Sequence, residues 1–284
     1  MRLRKINLFD SIVILTIIIS FVLFVLYPFV AVFNYGIKGD LIHSFISNKQ
    51  YYNKLFINSL KVAFGTTVLT TIFSIFIAIF YFISSGRIKK VLVFIFMIAI
   101  ISPPFVTSLS YINLFGRRGL ITYNLLKLNY DPYGYWGIIS MQSVTHIAIN
   151  ALLLIGFISS IDRSVINSAR SLGANTNRII LDIILPLLRP AIKVVLLLTF
   201  IRSMADFSTP AIVGGKYNVL ATEGYLAFIA EGDISKAVIM NLIILLPSLI
   251  IFLVFSKSFR STATESRGLV SVSLNMRKSG VIYY

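Results

Sequence analysis

Cysteine is absent from the 284 residues, so neither a disulfide framework nor a thiolate metal site is available. Acids are scarce, with ten Asp and Glu against 26 Lys and Arg. Histidine occurs twice, and no second His or carboxylate stands at ligand spacing from His146. That pattern disfavours a metal centre. No G-x-x-x-x-G-K-S/T occurs, so the chain brings no phosphate-cradling loop of its own. No cofactor is expected to be bound by these residues.

Charge of any kind is sparse, at 13%, while 57% of residues are hydrophobic. A soluble domain of this size has no use for so much apolar surface; the bilayer is the expected solvent. A net charge of +16 in a soluble protein would suggest nucleic acid. Here the basic residues flank apolar runs, as the positive-inside rule describes, and no nucleic-acid partner is expected.

The apolar runs are long. Uncharged stretches separate Asp10 from Lys38, Lys61 from Arg87, Lys90 from Arg117, Asp131 from Asp162 and Lys236 from Lys257. Each is long enough to cross about 30 Å of hydrocarbon as a helix. A further apolar segment is interrupted by Lys193, Arg202 and Asp206. The pattern predicts an all-α polytopic membrane protein with six spans, about 11–34, 57–83, 91–112, 136–159, 187–213 and 236–256. Residues 1–257 form the membrane domain. Residues 160–189 form a loop within it, and 258–284 form a polar tail.

Orientation follows from the cations. With the N-terminus inside, sixteen of the 26 basic residues fall on the cytoplasmic side, among them Arg87, Lys89, Arg163, Arg170 and Arg178. The bias predicts both ends in the cytoplasm. The Met1–Lys5 start has the look of a signal n-region, but the apolar run behind it is too long for one, so an uncleaved first span is expected.

The 160–189 loop carries local stop and start signals. Asp162 or Ser164 is placed to cap a helix running to about Leu172. Gly173 then suits the position after the helix, where the left-handed conformation is cheap only for glycine. Asn175 or Thr176 is placed to cap a second short helix, ended by Pro186 and Pro190. The expected product is a helix–turn–helix at the membrane surface. Ser168, Ala169 and Ala174 keep its tip small, and Arg170 and Arg178 charge its rim.

Residues 167–186 read Asn-Ser-Ala-Arg-Ser-Leu-Gly-Ala-Asn-Thr-Asn-Arg-Ile-Ile-Leu-Asp-Ile-Ile-Leu-Pro. This resembles the coupling loop of ABC-importer permeases: Glu-Ala-Ala, three residues, Gly, nine residues, Ile, one residue, Leu-Pro. Gly173, Ile183, Leu185 and Pro186 match at the family spacing. The leading Glu is Asn167 here and the first Ala is Ser168, so the usual carboxylate gives way to an amide without charge assistance. Ser102–Thr107, Leu114–Thr122, Ala205-Asp206-Phe207, Gly214-Gly215 and Val219–Glu223 resemble the iron(III) branch, which also contains phosphonate, sugar-phosphate, thiamine and polyamine permeases. The resemblance covers about residues 55–256.

The resemblance implies a type I importer permease fold in the bacterial inner membrane. It implies that Asn167, Ser168, Ala169, Arg170, Gly173, Ala174, Ile183, Leu185 and Pro186 meet an ABC ATPase dimer, which binds the ATP. It further implies a second permease subunit, distinct or identical, and an extracytoplasmic solute-binding protein. Iron(III), a phosphonate or a sugar phosphate all fit as substrate.

Polar residues inside spans mark the candidate pathway. Arg202 and Asp206 are four apart, which suits either a substrate-lining pair or an internal ion pair that only sets packing. Gln142, His146 and Asn150 share one helix face. They suit either a polar pathway wall or interhelical hydrogen bonding. Thr66, Thr67, Thr70 and Thr71 suit helix packing, and Pro103-Pro104 predicts a kink in the third span. Tyr51, Tyr52, Tyr133, Tyr135 and Trp136 suit an interfacial aromatic belt.

Two rival classes remain at this point. A secondary transporter would need an ion-coupling site and usually an inverted repeat, and no repeat is visible. An intramembrane enzyme would need paired carboxylates or a Ser–His arrangement at matching depth, which His146 alone does not supply.

Overall fold

The computed structural model of the chain describes residues 8–38, 45–128 and 131–255. The polar tail expected over 258–284 lies outside the described residues. Everything regular among them is helical. Helix α1 runs continuously through Leu8–Phe21, a π-helical turn at Val22–Leu26, and Tyr27–Lys38. Helices α2 (Lys49–Ile83), α3 (Gly86–Ile101), α4 (Pro104–Phe115) and α5 (Tyr135–Ser159) follow. Then come α6 (Arg163–Ser171), α7 (Thr176–Ala205), α8 (Ser208–Val213), α9 (Leu220–Ile229) and α10 (Ile234–Phe255).

Among the described residues, five helices are long and apolar enough to cross a membrane: within α1, then α2, α5, α7 and α10. The sixth candidate is α3 with Val106–Leu125, which takes in α4 and the π-helical turn Leu120–Leu125, bent by 110°. The break falls where two prolines stand in series. Ser102 and Pro103 take extended ψ values of 125° and 143°, and Pro104 opens α4. A residue before proline is pushed out of the helical region, and proline itself has no N–H to continue the ladder. The kink expected from Pro103-Pro104 is therefore a full break.

Side-chain contacts fix the helix directions. Tyr135 Oη reaches the Lys61 carbonyl, Thr66 bonds Gln142, and Tyr81 meets Ser159. Both numbers rise together, so α2 and α5 run parallel. Two parallel spans require the chain between them to cross back, so the bent α3–α4 pair supplies the return crossing. Helix α7 runs the other way: Ser203 near its end meets Gln142 early in α5, while Leu188 near its start packs with Leu154 and Ile158.

Three apolar clusters hold the α2–α5–α7 core and α10. Ala78, Leu154, Ile158, Ile184, Leu188 and Val195 fill the end nearest α6. Tyr52, Leu55, Ala63, Phe200, Met204 and Met240 fill the opposite end, against α10. Val62, Ile138, Met141 and Val213 form a third cluster beside α8. The outer surface is apolar too. Phe64, Val68, Ile72, Phe76 and Phe80, four residues apart on α2, are all exposed. A helix apolar on both faces is what a lipid-facing span requires. Helix α1 buries none of its apolar stretch against the rest of the chain.

Three expected boundaries move. Helix α2 starts at Lys49 rather than 57, so at about 1.5 Å per residue it is longer than the hydrocarbon core needs. Helix α7 begins at Thr176 and passes through Pro186 and Pro190, which were expected to end a short helix. A π-helical turn at Ile179–Ile184 makes this possible. Leu185 N–H bonds the Ile180 carbonyl, five residues back, and the widened turn accepts Pro186 without its missing donor. The span expected over 187–213 also stops early, at Ala205.

Candidate functional site

The first site is the 160–189 loop. Asp162 Oδ1 accepts the Ser164 N–H at 2.8 Å and caps α6. Those hydrogen bonds hold the Asp162 carboxyl below the usual carboxylate range. The helix closes in a Schellman turn. Gly173 N–H donates to the Arg170 carbonyl at 2.9 Å, and Ala174 N–H to the Ala169 carbonyl at 3.0 Å. Gly173 takes φ +84° to make this turn, which a residue with a β-carbon adopts only under strain. Asn175 Oδ1 then accepts the Arg178 N–H at 2.9 Å and caps α7.

The loop residues separate into two layers. Asn167, Ser168, Arg170 and Gly173 are exposed, and the space around a β-carbon built on Gly173 is empty. Ala169, Ala174, Ile183, Leu185 and Pro186 are half-buried. Ala169 and Ala174, the C3 and C″ positions of the turn, pack on the Ala78–Leu154–Leu188 cluster with Ile166. Ile166, Ala169 and Ala174 therefore seat the loop, and the polar residues face outward. Leu172, which the sequence did not single out, stands 88% exposed at the tip.

The second site is a buried polar seam. Gln142 is fully buried and joins three elements. Its Oε1 accepts from Thr66 Oγ1 of α2 at 3.0 Å and from Ser203 Oγ of α7. Its Nε2 donates to Asp206 Oδ2 at 3.0 Å. One turn pair further along, Asn150 Nδ2 donates to Thr199 Oγ1 at 2.6 Å. Gln142 and Asn150 thus make interhelical bonds, one of the two uses open to them. Thr66, Thr199, Ser203 and Asp206 are their partners; Thr66 stood in the threonine set read as helix packing, whereas Thr199 and Ser203, single hydroxyls among apolar residues, carried no sequence signal.

His146 differs. Its Nε2 is buried and has no hydrogen-bond partner among the described residues. The same holds for the hydroxyls of Thr70, Thr71 and Ser74 on α2 and Ser143 on α5. The α2–α5 contact thus combines packing with unpartnered polar atoms.

Arg202 and Asp206 are not a pair. The ion pairs among the described residues are Arg117–Asp131 and Lys236–Glu231. Asp206 has left the helix, with ψ 110°. Its Oδ1 accepts Ser208 N–H at 3.0 Å, Ser208 Oγ at 2.9 Å and Thr209 N–H at 3.1 Å, so it caps α8. The i, i+4 geometry assumed a continuous helix, and the cap removes it. Arg202 is exposed.

At the end of the bundle away from α6, a cavity of about 630 Å³ lies among Arg117, Asp131, Tyr133, Tyr135, Lys216 and Tyr217. Arg117 pairs with Asp131 at 2.7 Å and lies over the Tyr133 ring. The Arg117 hydrogen bond holds the Asp131 carboxyl low. Tyr51, at the start of α2, bonds Glu223 of α9.

Comparison with known proteins agrees with this architecture. Residues 68–262 match the model of the binding-protein-dependent transport system inner membrane component family, and the chain belongs to it. The ferric transport system permease protein FbpB of Actinobacillus pleuropneumoniae is 31% identical over 252 residues, covering 84% of this chain and 36% of that protein. The chain thus spans about a third of that relative's length. A putative 2-aminoethylphosphonate transport system permease protein, PhnU of Salmonella typhimurium, is 25% identical, covering 78% of this chain and 80% of that one. A crystal structure of a bacterial ABC transporter importing alginate superposes with a TM-score of 0.75 at 18% identity, covering 88% and 94% of the two chains. That likeness concerns the fold.

Proposed function

We propose that this chain is one permease half of an ATP-driven importer, with residues 160–189 as its coupling element. The observation that carries the reading is the α6 turn. A Schellman-closed helix, seated by Ala169 and Ala174 on the α5–α7 core, presents Asn167, Ser168, Arg170 and Gly173 outward. A rigid knob of this kind passes a push on its surface directly into two spans.

Under this reading a separate ATPase dimer binds the ATP and grips α6. A second permease subunit completes the pathway, and an extracytoplasmic binding protein delivers solute to the end carrying Arg117 and Lys216. Both termini are cytoplasmic. The relatives favour iron(III) or a phosphonate as solute, and a sugar phosphate shares the same oxyanion chemistry. Arg202 is the candidate pathway contact, because it is a charge exposed on a span. His146 is the second, because its buried Nε2 is free for a water or a solute.

Reconstitution tests this. The chain, its partner permease, its ATPase and its binding protein in proteoliposomes should take up ferric ion or 2-aminoethylphosphonate only with ATP. Uptake that persists without the ATPase overturns the reading. The absence of native cysteine makes topology mapping clean: a cysteine introduced at Ser171 should resist an impermeant thiol reagent from outside.

A further inference from the structure

The charge on α6 goes beyond what a generic docking knob requires. From Arg163 to Leu181 there are three arginines and no acid. The preceding Asp162 is committed to its cap. Arg163, Asn167 and Arg170 stand at i, i+4 and i+7, on one face, and all three are exposed. Ile166 and Ala169, along one flank of that face, are half-buried against the core. The two guanidinium groups therefore rise from backbone positions about 10 Å apart at about 1.5 Å per residue. Between them lies the Asn167 amide, and the small hydroxyls of Ser164, Ser168 and Ser171 line the neighbouring exposed face. Beyond them Leu172 protrudes into open space at the tip.

We propose that the groove receiving α6 on the ATPase is rimmed by carboxylates and floored by an apolar pocket. This rests on the coupling reading above and deepens it. Two acidic side chains about 10 Å apart would meet Arg163 and Arg170, each by the bidentate fork that guanidinium offers a carboxylate. Leu172 fills the pocket. Asn167 sits between the carboxylates as a donor, where a Glu would repel them. The uncharged amide is then part of the specificity: a permease carrying an acid at this position is rejected by the same groove. A lipid surface also attracts arginine, but it gives no use to the small residues that let a partner approach closely or to a single leucine aimed past the helix end.

The test uses the full chain in nanodiscs of zwitterionic lipid. The probe is the ATPase co-purified from native membranes and identified by its P-loop. Arg163→Gln/Arg170→Gln should weaken binding about tenfold or more and flatten its salt dependence. Asn167→Glu should weaken it as well. Wild-type affinity in the double variant, or tighter binding in Asn167→Glu, overturns the acidic groove. A loss that appears only in anionic-lipid nanodiscs assigns the arginines to headgroups and also overturns it. If the unmodified chain binds no ATPase at all, the importer reading itself fails, which is a separate outcome. Gln keeps helix propensity and length, and an unchanged elution volume of each variant confirms folding.

Discussion

The 160–189 loop and the Gln142 seam are both polar regions in an apolar protein, yet they are built on opposite terms. In the loop every hydrogen bond that sets the shape is local: Asp162 to Ser164, Gly173 to Arg170, Ala174 to Ala169, Asn175 to Arg178. In the seam every bond that matters is long-range, joining residues 66, 142, 203 and 206. Local bonds leave side chains such as Arg170 and Leu172 free to meet a partner. Long-range bonds consume the side chains that make them. Polar residues in a span are therefore a poor guide to a pathway until their partners are known.

The largest effect should come from the seam. Gln142→Leu leaves the Thr66 and Ser203 hydroxyls and the Asp206 carboxylate short of a partner in a buried site. A loss of about 2–3 kcal/mol is expected, read as a lowered midpoint of thermal unfolding in detergent. A midpoint equal to wild type would mean that the seam is not structural.

Gly173→Leu comes next. A β-carbon at φ +84° costs about 1–2 kcal/mol, confined to the turn. The stability change should be small, while substrate-stimulated ATPase in proteoliposomes should fall towards its unstimulated level. Normal stimulation would remove the loop from the coupling pathway.

Asp206 and Arg202 sharpen the contrast between a committed and a free charge. Asp206→Ala removes a helix cap and a Gln142 partner, and should cost about 1–2 kcal/mol. Arg202→Ala should leave stability within about 0.5 kcal/mol of wild type. With no ion pair between them, the double variant should stay close to the sum, apart from the field both charges exert on His146. Recovery of stability in the double variant would restore the ion pair that the structure lacks. Lost uptake in an assembled, stable Arg202→Ala would support its place in the pathway.

The smallest effect concerns pH. The folded-state pKa of Asp162 is depressed by the Ser164 hydrogen bonds. Its contribution to α6 is therefore complete above the ordinary carboxylate value and is lost as pH falls through the depressed one. A spin label on a cysteine replacing Val165 should gain mobility over that acidic window. Asp162→Asn should abolish the pH dependence while keeping the cap. An unchanged pH profile in Asp162→Asn would assign the transition to another group.

What the sequence determined by itself is what neighbours in the chain decide. Apolar runs longer than a bilayer's width must be helices, since backbone polar groups find no partner in hydrocarbon except along the helix itself. The caps at Asp162 and Asn175 and the left-handed turn at Gly173 depend on residues within five positions. The double proline at 103–104 had to interrupt a helix. All of these were legible, as was the family. The tertiary structure decided the rest. The passage of α7 through Pro186 needed a π turn, whose end residues Ile179 and Ile184 are packed in the core. The end of α7 at Ala205 followed from Asp206 choosing Ser208, Thr209 and Gln142 over Arg202. Which of two hydrogen-bond partners a buried side chain takes is fixed by which helices meet and at what register. Those distances, between residues 61 to 76 apart in the chain, exist only once the bundle has formed.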